Sequence, residues 1–272
     1  MQIRNYSPRT IQTYVSHVKH LSDHYNLAPA KISLEDFKVY LSYRINSERI
    51  SVSTINQAIG AWRLLQVDVL KREWEDFKVK RPLKEKKLPS VLSRSEALLI
   101  INALGNLKHR TLLTLTYTTG LRRNELLSLK PEDIDSSRHL LKVVNGKGHK
   151  QRLIPISNSM IDILRDYYKY YRPSVYLFEG ISKGTRYSES SFNNIVKKAA
   201  RISGIKKQVS PHTLRHSFAT HMLEKGVNLK RLQIIMGHSA MKTTSIYLHV
   251  TELDNVALPD LSIDETLKDK SI

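Results

Sequence analysis

The chain has 272 residues, of which 40% are hydrophobic, and 44 Lys and Arg against 25 Asp and Glu give it a formal net charge of +19. Its apolar runs are only a few residues long and its first ten residues, MQIRNYSPRT, contain no apolar segment, so we expect neither a transmembrane helix nor a secretory signal. The absence of cysteine excludes disulfides and thiolate zinc sites. These features predict a cytoplasmic protein of two domains whose charge attracts nucleic acid.

The first eighty residues carry helical patterns throughout. Ser7 and Pro8 form a helix start, with the serine as N-cap and the proline at the first helical position. A second helix is predicted after the cap Ser33, and a third over residues 51–70, weakened locally by Gly60. Three amphipathic helices of this kind predict a small helical bundle.

Two charged segments divide and end the chain. Residues 79–90 are basic and contain Pro82 and Pro89, which discourage helix, so they predict a linker. Residues 251–272 carry six acidic residues against two lysines, which predicts a tail that is either solvated or docked on another protomer. The predicted division is a helical domain at 1–78, a basic linker at 79–90, a mixed domain at 91–250 and an acidic tail at 251–272.

The second domain combines helices with a hairpin. Two helices are predicted before Gly120, which ends the second of them, and two more at 158–171 and 188–203. Between these pairs, LLKVVNGKGHKQRLIPI has apolar strands at 140–144 and 152–156 around a glycine-rich turn. The predicted fold class is therefore mainly α with a small β-sheet.

The segment PHTLRHSFATHML, at 211–223, concentrates histidine and arginine at a helix start. His212 and Arg215 are three residues apart and share a face near the positive end of the helix, where free N–H groups suit an anion. His212 and His216 have a spacing that zinc could use, but the glutamate of an HExxH site is missing and Arg215 would repel a dication. Ordinary structural histidines are a third interpretation.

Three further motifs carry chemistry-bearing residues. In TGLRRNEL, Arg122 opens a helix and Glu125 follows three residues later, either to orient the guanidinium or to form an ordinary surface ion pair. Lys147 lies between two glycines at the tip of the hairpin, where it could reach into a groove. In MGHSAMKTTSIYLHV, His238 follows a helix-ending glycine and Tyr247 comes nine residues later.

Together, these motifs resemble the tyrosine recombinases, the phage-integrase and Xer family, in order and spacing. The resemblance covers residues 91–250, and the helical first domain is similar to the SAM-like core-binding domain of that family. One slight departure is Met236, which stands where many members have leucine. The resemblance implies a two-domain clamp around duplex DNA.

The resemblance also implies a role for each matching residue. Arg122 and Arg215 would hold the scissile phosphate with help from His238, while His212 would accept a proton or a hydrogen bond. Lys147 would protonate the leaving 5′-oxygen, with Lys150 a weaker candidate, and Tyr247 would be the nucleophile. Glu125 would support the site, whereas His216 and His221 match no catalytic position and are predicted to be structural. No cofactor, metal ion or ATP is implied.

The implied activity is site-specific DNA recombination through a 3′-phosphotyrosine intermediate and a Holliday junction, by a Xer-like or mobile-element integrase. The implied partners are double-stranded recombination sites and a homo-tetramer on two of them, with a paired homologous recombinase or DNA-bending proteins as possible additions. Three alternatives remain: a type IB topoisomerase-like enzyme, a non-catalytic DNA-binding regulator and a zinc-dependent nuclease. The candidate DNA-contacting residues are Thr54, Asn56, Gln57, Arg63, Lys80, Arg81 and Lys150.

Overall fold

The structure, a computed structural model, describes residues 6–74, 90–144 and 151–237 together with residues 244, 245 and 247. The chain separates into two compact units, Met1–Lys87 and Leu88–Ile272. Within the described ranges, no helix has both the length and the apolar character needed to span a bilayer.

The described residues of the amino-terminal unit form three α-helices, which we label α1 (Pro8–Tyr25), α2 (Leu34–Asn46) and α3 (Val52–Leu64). Serines cap all three: Ser7, Ser33 and Ser51 each accept a hydrogen bond from a backbone N–H in the first turn. The predicted helix starts at Ser7 and Ser33 are thereby confirmed.

The third helix ends earlier than the sequence predicts. The α-helix stops at Leu64, and Leu65–Val69 form a π-type turn in which the N–H of Leu70 donates to the carbonyl of Leu65, five residues back. Apolar periodicity does not distinguish this wider turn from a continuing α-helix, which explains the difference.

Aromatic packing forms the core of this unit. The rings of Phe37 and Trp62 stack with their centroids 4.7 Å apart and their planes 12° from parallel, and both side chains are almost fully buried. Gly60 lets α1 approach α3 closely, since a Cβ there would fall 2.9 Å from the hydroxyl oxygen of Tyr14. The glycine that weakens the predicted helix is therefore a contact point.

In the part of the carboxy-terminal unit that the structure describes, seven α-helices accompany a small sheet. The helices are α4 (Arg94–Asn102), α5 (Leu107–Thr119), α6 (Arg123–Leu127), α7 (Asn158–Tyr171), α8 (Glu189–Ile202), α9 (Pro211–Glu224) and α10 (Leu229–Met236). The predicted helices at 158–171 and 188–203 are confirmed to within one residue. Gly120 and Gly237 end α5 and α10 in the left-handed conformation, with φ of 61° and 62°.

The sheet has three antiparallel strands, β1 (Ile134–Asp135), β2 (Leu140–Val144) and β3 (Gln151–Pro155), in the order β1-β2-β3. Leu141 pairs with Ile154 and Val143 with Arg152, so the predicted hairpin is confirmed with its return strand one residue earlier. The two-residue β1 is too short to produce an alternating pattern, which is why the sequence does not predict it.

Helix α9 lies at the centre of this unit. It packs against α5, α4, α8 and α10, and α10 in turn contacts β3. Nine of its fourteen residues are buried, including Arg215 and His221. Because α9 is covered on several sides, its buried polar side chains contact neighbouring elements, as Arg215 does with the ends of α5 and α10.

Candidate active site

Three arginines from distant parts of the chain donate to the last carbonyl groups of α10. Arg152 Nε donates to the carbonyl of Ile235, Arg215 Nη2 to that of Met236 and Arg122 Nη2 to that of Gly237, each at 2.8 Å. The final carbonyls of a helix have no partner within it and lie at its negative end, so they attract cations. We call Arg122, Arg152 and Arg215 the arginine cluster.

Glu125 is the carboxylate at the centre of the arginine cluster. Its Oε1 lies 2.9 Å from Arg122 Nη1, its Oε2 accepts from the Arg122 backbone N–H at 2.9 Å, and Arg215 Nη1 lies 4.0 Å away. Arg152 forms a bidentate pair with both carboxylate oxygens, at 3.0 and 2.7 Å. The alternative interpretation, that Arg122 and Glu125 form an ordinary surface ion pair, is therefore wrong, because the carboxylate is buried.

The surroundings of Glu125 keep it ionised. Burial by itself would raise the pKa of this carboxyl group, but the hydrogen bonds and charge of Arg152, reinforced by Arg122, lower the pKa to about 2. One negative charge among three guanidinium groups leaves the cluster with an excess of positive charge. Such a site suits an anion in which further negative charge develops.

Arg215 is almost completely buried, with 4% of its surface exposed. Its guanidinium donates to the carbonyls of Gly120 and Met236, and these two hydrogen bonds connect the end of α5 to the end of α10. Burial first, and the charge of Arg122 second, lower the pKa of Arg215 to about 10. The group is still protonated at neutral pH, so it keeps its positive charge inside the protein.

His212 lies one turn before Arg215 on α9; the residue reaches solvent, although part of its ring is covered by the protein. Partial burial of the ring lowers its pKa, and the charges of Arg215, Arg123 and Arg122 lower it further. The imidazole is therefore neutral at neutral pH. A neutral ring beside several guanidinium groups can accept a proton or a hydrogen bond.

Tyr247 is buried against α9, with 2% of its surface exposed. Its hydroxyl oxygen lies 2.8 Å from Nδ1 of His216, the residue that follows Arg215. Burial raises the pKa of Tyr247, whereas the charges of Arg215 and Arg122 act in the opposite direction. The same two arginines that the sequence singles out therefore act electrostatically on the predicted nucleophile.

Two residues of this site were not predicted from the sequence. Arg152 belongs to none of the sequence motifs, although its place two residues before the buried Ile154 puts both side chains on one face of β3. His216 was predicted to be structural, yet it contacts Tyr247. Strand alternation could have indicated Arg152, whereas no local signal connects His216 with a tyrosine 31 residues away.

Several predicted site residues lie outside the described residues: Lys147, Lys150, His238, Lys80 and Arg81. The predicted linker and the acidic tail lie there as well, apart from Ser90 of the linker. His238 directly follows Gly237, whose carbonyl accepts from Arg122, so the described site ends next to it in the chain.

The other four DNA-contacting candidates lie on α3 but on two sides of it. At 100° per residue, Thr54 and Gln57 fall on one side of the helix and Asn56 and Arg63 on the opposite side, flanking the buried face. The guanidinium of Arg63 stacks over the ring of Trp74 at 5.8 Å. The four side chains therefore span about half of the circumference of the helix.

Metal ligands do not cluster in the described part of the chain, where no three His, Asp or Glu residues are placed to hold a metal ion. The zinc spacing of His212 and His216 is interrupted by Arg215, and His216 is bonded to Tyr247. The positive charge of the described site therefore comes from the arginine cluster.

Comparison with known proteins identifies the class to which this fold and site belong. Residues 84–253 match the model of the phage integrase family, and residues 1–76 match that of the phage integrase N-terminal SAM-like domain. The chain belongs to the phage integrase family of tyrosine recombinases, which makes it a DNA strand transferase.

Curated relatives cover nearly the whole chain. A predicted integrase/recombinase, y4qK of Sinorhizobium fredii, is 37% identical over 92% of this chain and 82% of its own length. A tyrosine recombinase of Thermosipho africanus is 32% identical over 92% of both chains. The XerD tyrosine recombinase of Oceanobacillus iheyensis is 31% identical over 92% of this chain and 90% of its own.

Solved structures share the fold. XerA recombinase is 28% identical, with a TM-score of 0.57 over 92% of this chain and 90% of that chain. XerH recombinase, bound to its difH substrate, is 22% identical with a TM-score of 0.73 over 92% and 80%. A lambda integrase dimer bound to a core site is 21% identical with a TM-score of 0.70 over 90% and 89%.

Proposed function

We propose that this protein is a site-specific recombinase that cleaves and rejoins DNA through a covalent 3′-phosphotyrosine intermediate on Tyr247. The observation that carries the proposal is the convergence of Arg122 and Arg215 on adjacent carbonyls of α10, with the charges of both acting on Tyr247. Family membership and the DNA-bound XerH and lambda integrase structures support DNA as the substrate.

The proposed step transfers a phosphoryl group from DNA to the protein. The Tyr247 oxygen attacks the scissile phosphorus, a P–O bond to Tyr247 forms and the P–O5′ bond breaks. His212 takes the phenol proton, and Lys147 gives a proton to the leaving 5′-oxygen. Because the tyrosine ester conserves the energy of the broken phosphodiester link, a second 5′-hydroxyl can reseal the strand without ATP.

The arginines suit a charge that grows during the reaction. Attack on a phosphodiester gathers negative charge on its non-bridging oxygens, and preorganised donors are most effective where charge develops. Arg122 uses two N–H groups on described protein atoms, and its side chain is 35% exposed, so its remaining donors are accessible to a phosphate. His238 is proposed to add a further hydrogen bond.

Tyr247 is buried in this structure, so the proposal requires its hydroxyl to leave His216 before it reaches the phosphorus. The bond to His216 contributes about 1 kcal/mol, as typical neutral hydrogen bonds do. Contacts with bound DNA can exceed that amount. We therefore expect DNA binding and release of Tyr247 to be coupled.

The test is covalent capture of DNA. The protein is mixed with a pool of nicked duplexes that have a randomised core, and a denaturing gel separates the covalent adduct. Wild type should form an adduct that protease digestion removes, while Tyr247→Phe should bind the recovered duplex and form none. Equal adduct from Tyr247→Phe, or no adduct from wild type, would show that the proposed chemistry is wrong.

Further measurements distinguish the alternatives. A recombinase joins two copies of the recovered duplex, whereas a topoisomerase-like enzyme relaxes supercoiled DNA without a pair of sites, and a regulator binds without cleavage.

We propose four protomers on two sites, with exchange through a Holliday junction, and docking of the acidic tail on a neighbouring protomer. Removal of residues 256–272 should then reduce synapsis, the pairing of two DNA sites, more than it reduces DNA binding by a single protomer. Unchanged synapsis would refute the role of the tail.

A further inference from the structure

Arg152 is the member of the arginine cluster to which the proposed chemistry gives no role. Its side chain is 8% exposed, and all three of its nitrogens are bonded to protein: Nε to the carbonyl of Ile235 and the two Nη atoms to Glu125. A residue so fully engaged is unsuited to contact DNA directly.

The position of Arg152 connects the parts of the site that hold the phosphate. It joins β3, which follows Lys147 in the sequence, to Glu125 on α6 and to the end of α10, which precedes His238 in the sequence. A Cβ on Gly237 would fall 2.8–3.1 Å from three atoms of the Arg152 guanidinium. The guanidinium therefore lies directly against the backbone whose carbonyl holds Arg122.

Arg152 also determines how Glu125 shares its two oxygens. The bidentate pair with Arg152 uses one lone pair on each oxygen, and Arg122 takes a second contact on each through Nη1 and its backbone N–H. Without Arg152, the buried carboxylate would keep too few donors and would compete with a DNA phosphate for the remaining N–H groups of Arg122.

We infer that Arg152 is a positioning residue of the strand-cleavage reaction, which holds Glu125 and the end of α10 so that Arg122 is aimed at the scissile phosphate. The inference rests on the proposed function, because it concerns the same site. Its effect is on the alignment of Arg122 and not on DNA affinity, since Arg152 itself does not face the ligand.

The experiment compares Arg152→Lys and Arg152→Met with wild type on the duplex recovered from the randomised nicked pool. We expect Arg152→Met to bind this duplex within about twofold of wild type but to form adduct about 10²-fold more slowly, the effect of a small misalignment. Arg152→Lys keeps the charge but not the planar fork, and it should be intermediate.

A pH profile separates positioning from loss of stability. In wild type Glu125 stays ionised at pH 5–9, because Arg152 and Arg122 overcome the effect of burial on its pKa. In Arg152→Met burial should prevail, so the carboxyl group protonates in mild acid and the adduct rate should fall more steeply from pH 8 to pH 5. Carbon-detected NMR of the DNA-free protein should show the Glu125 pKa raised.

Arg165→Met is the matched control, since it removes the same side chain from an exposed ion pair with Asp162 on α7. It should match wild type in both adduct rate and pH profile. The inference would be overturned by an unchanged rate in Arg152→Met, or by a loss without the new pH dependence. If wild type formed no adduct, the proposed function would fail, and the Glu125 titration would still decide whether Arg152 holds that carboxylate.

Discussion

The hydroxyl of Tyr247 lies 2.8 Å from Nδ1 of His216, inside the carboxy-terminal unit. Burial, together with the nearby His212 and Arg215, lowers the pKa of His216 to about 4, so its ring is neutral at pH 7. Burial likewise raises the pKa of Tyr247. A neutral phenol and a neutral imidazole therefore share this hydrogen bond, which holds the Tyr247 hydroxyl against α9.

The coupling between these two residues is measurable. His216→Phe leaves a buried hydroxyl without this partner and should lower the free energy of unfolding by about 1–3 kcal/mol. His216→Phe combined with Tyr247→Phe should cost less than the sum of the single changes, by at least about 0.5 kcal/mol. Urea unfolding of the four proteins gives the coupling, and strict additivity would contradict the bond.

A second tyrosine–histidine pair in the same unit provides the control. The hydroxyl of Tyr117 lies 2.8 Å from Nδ1 of His221, and the charges that act on Tyr117 are those of Arg94 and Glu224. Tyr117→Phe should therefore reduce stability to a similar extent yet form the covalent adduct at the wild-type rate. A loss of adduct in Tyr117→Phe would show that stability, and not the identity of the nucleophile, limits the reaction.

Stability should fall in mild acid. The pKa of His216 is about 4 in the folded chain and near 6.5 when unfolded, so the unfolded state binds more protons between these values. The contribution of this residue is complete above pH 6.5 and decreases by about 2 kcal/mol between pH 7.5 and pH 5. Urea unfolding at both pH values should show a difference smaller by this amount in His216→Gln; an equal difference would contradict the assignment.

The planar fork of Arg122 should matter more than its charge. Arg122→Lys keeps a cation but cannot contact Glu125, the carbonyl of Gly237 and a phosphate with one planar group. We expect single-turnover adduct formation to fall about 10²–10³-fold, while the melting temperature changes little because the side chain is partly exposed. Arg165→Lys should show no fall in rate, and an unaffected Arg122→Lys would argue against a phosphate contact.

Gly120 should tolerate no side chain. Its φ of 61° disfavours other residues, and a Cβ would press on the ring of Phe218 and lie 3.0 Å from the sulfur of Met236. Gly120→Ala should reduce the free energy of unfolding by about 2–5 kcal/mol and also displace the carbonyl that Arg215 holds. Gly105→Ala has no atom within 4 Å of the new Cβ, so its chemical unfolding should match wild type.

Much of the fold could be predicted from local chemistry. Two helix starts are predicted by a capping serine followed by proline, at Ser7–Pro8 and at Ser210–Pro211, because caps and proline act within one turn of the helix. The helix ends at Gly120 and Gly237 follow from the left-handed conformation that glycine permits. Two other features could not be predicted, because the π-type turn after Leu64 and the two-residue β1 leave no distinctive pattern in the sequence.

The sequence by itself determined the helices, the hairpin and the residue types that the family shares, since each depends on contacts within a few positions of the chain. Only the tertiary structure decided that Arg122, Arg152 and Arg215 meet at the end of α10, across separations of 115, 83 and 21 residues. It also decided that His216 holds Tyr247 and that Glu125 is buried. Packing of α9 among its neighbours creates these contacts, and no local pattern of residues encodes which distant carbonyl a guanidinium will meet.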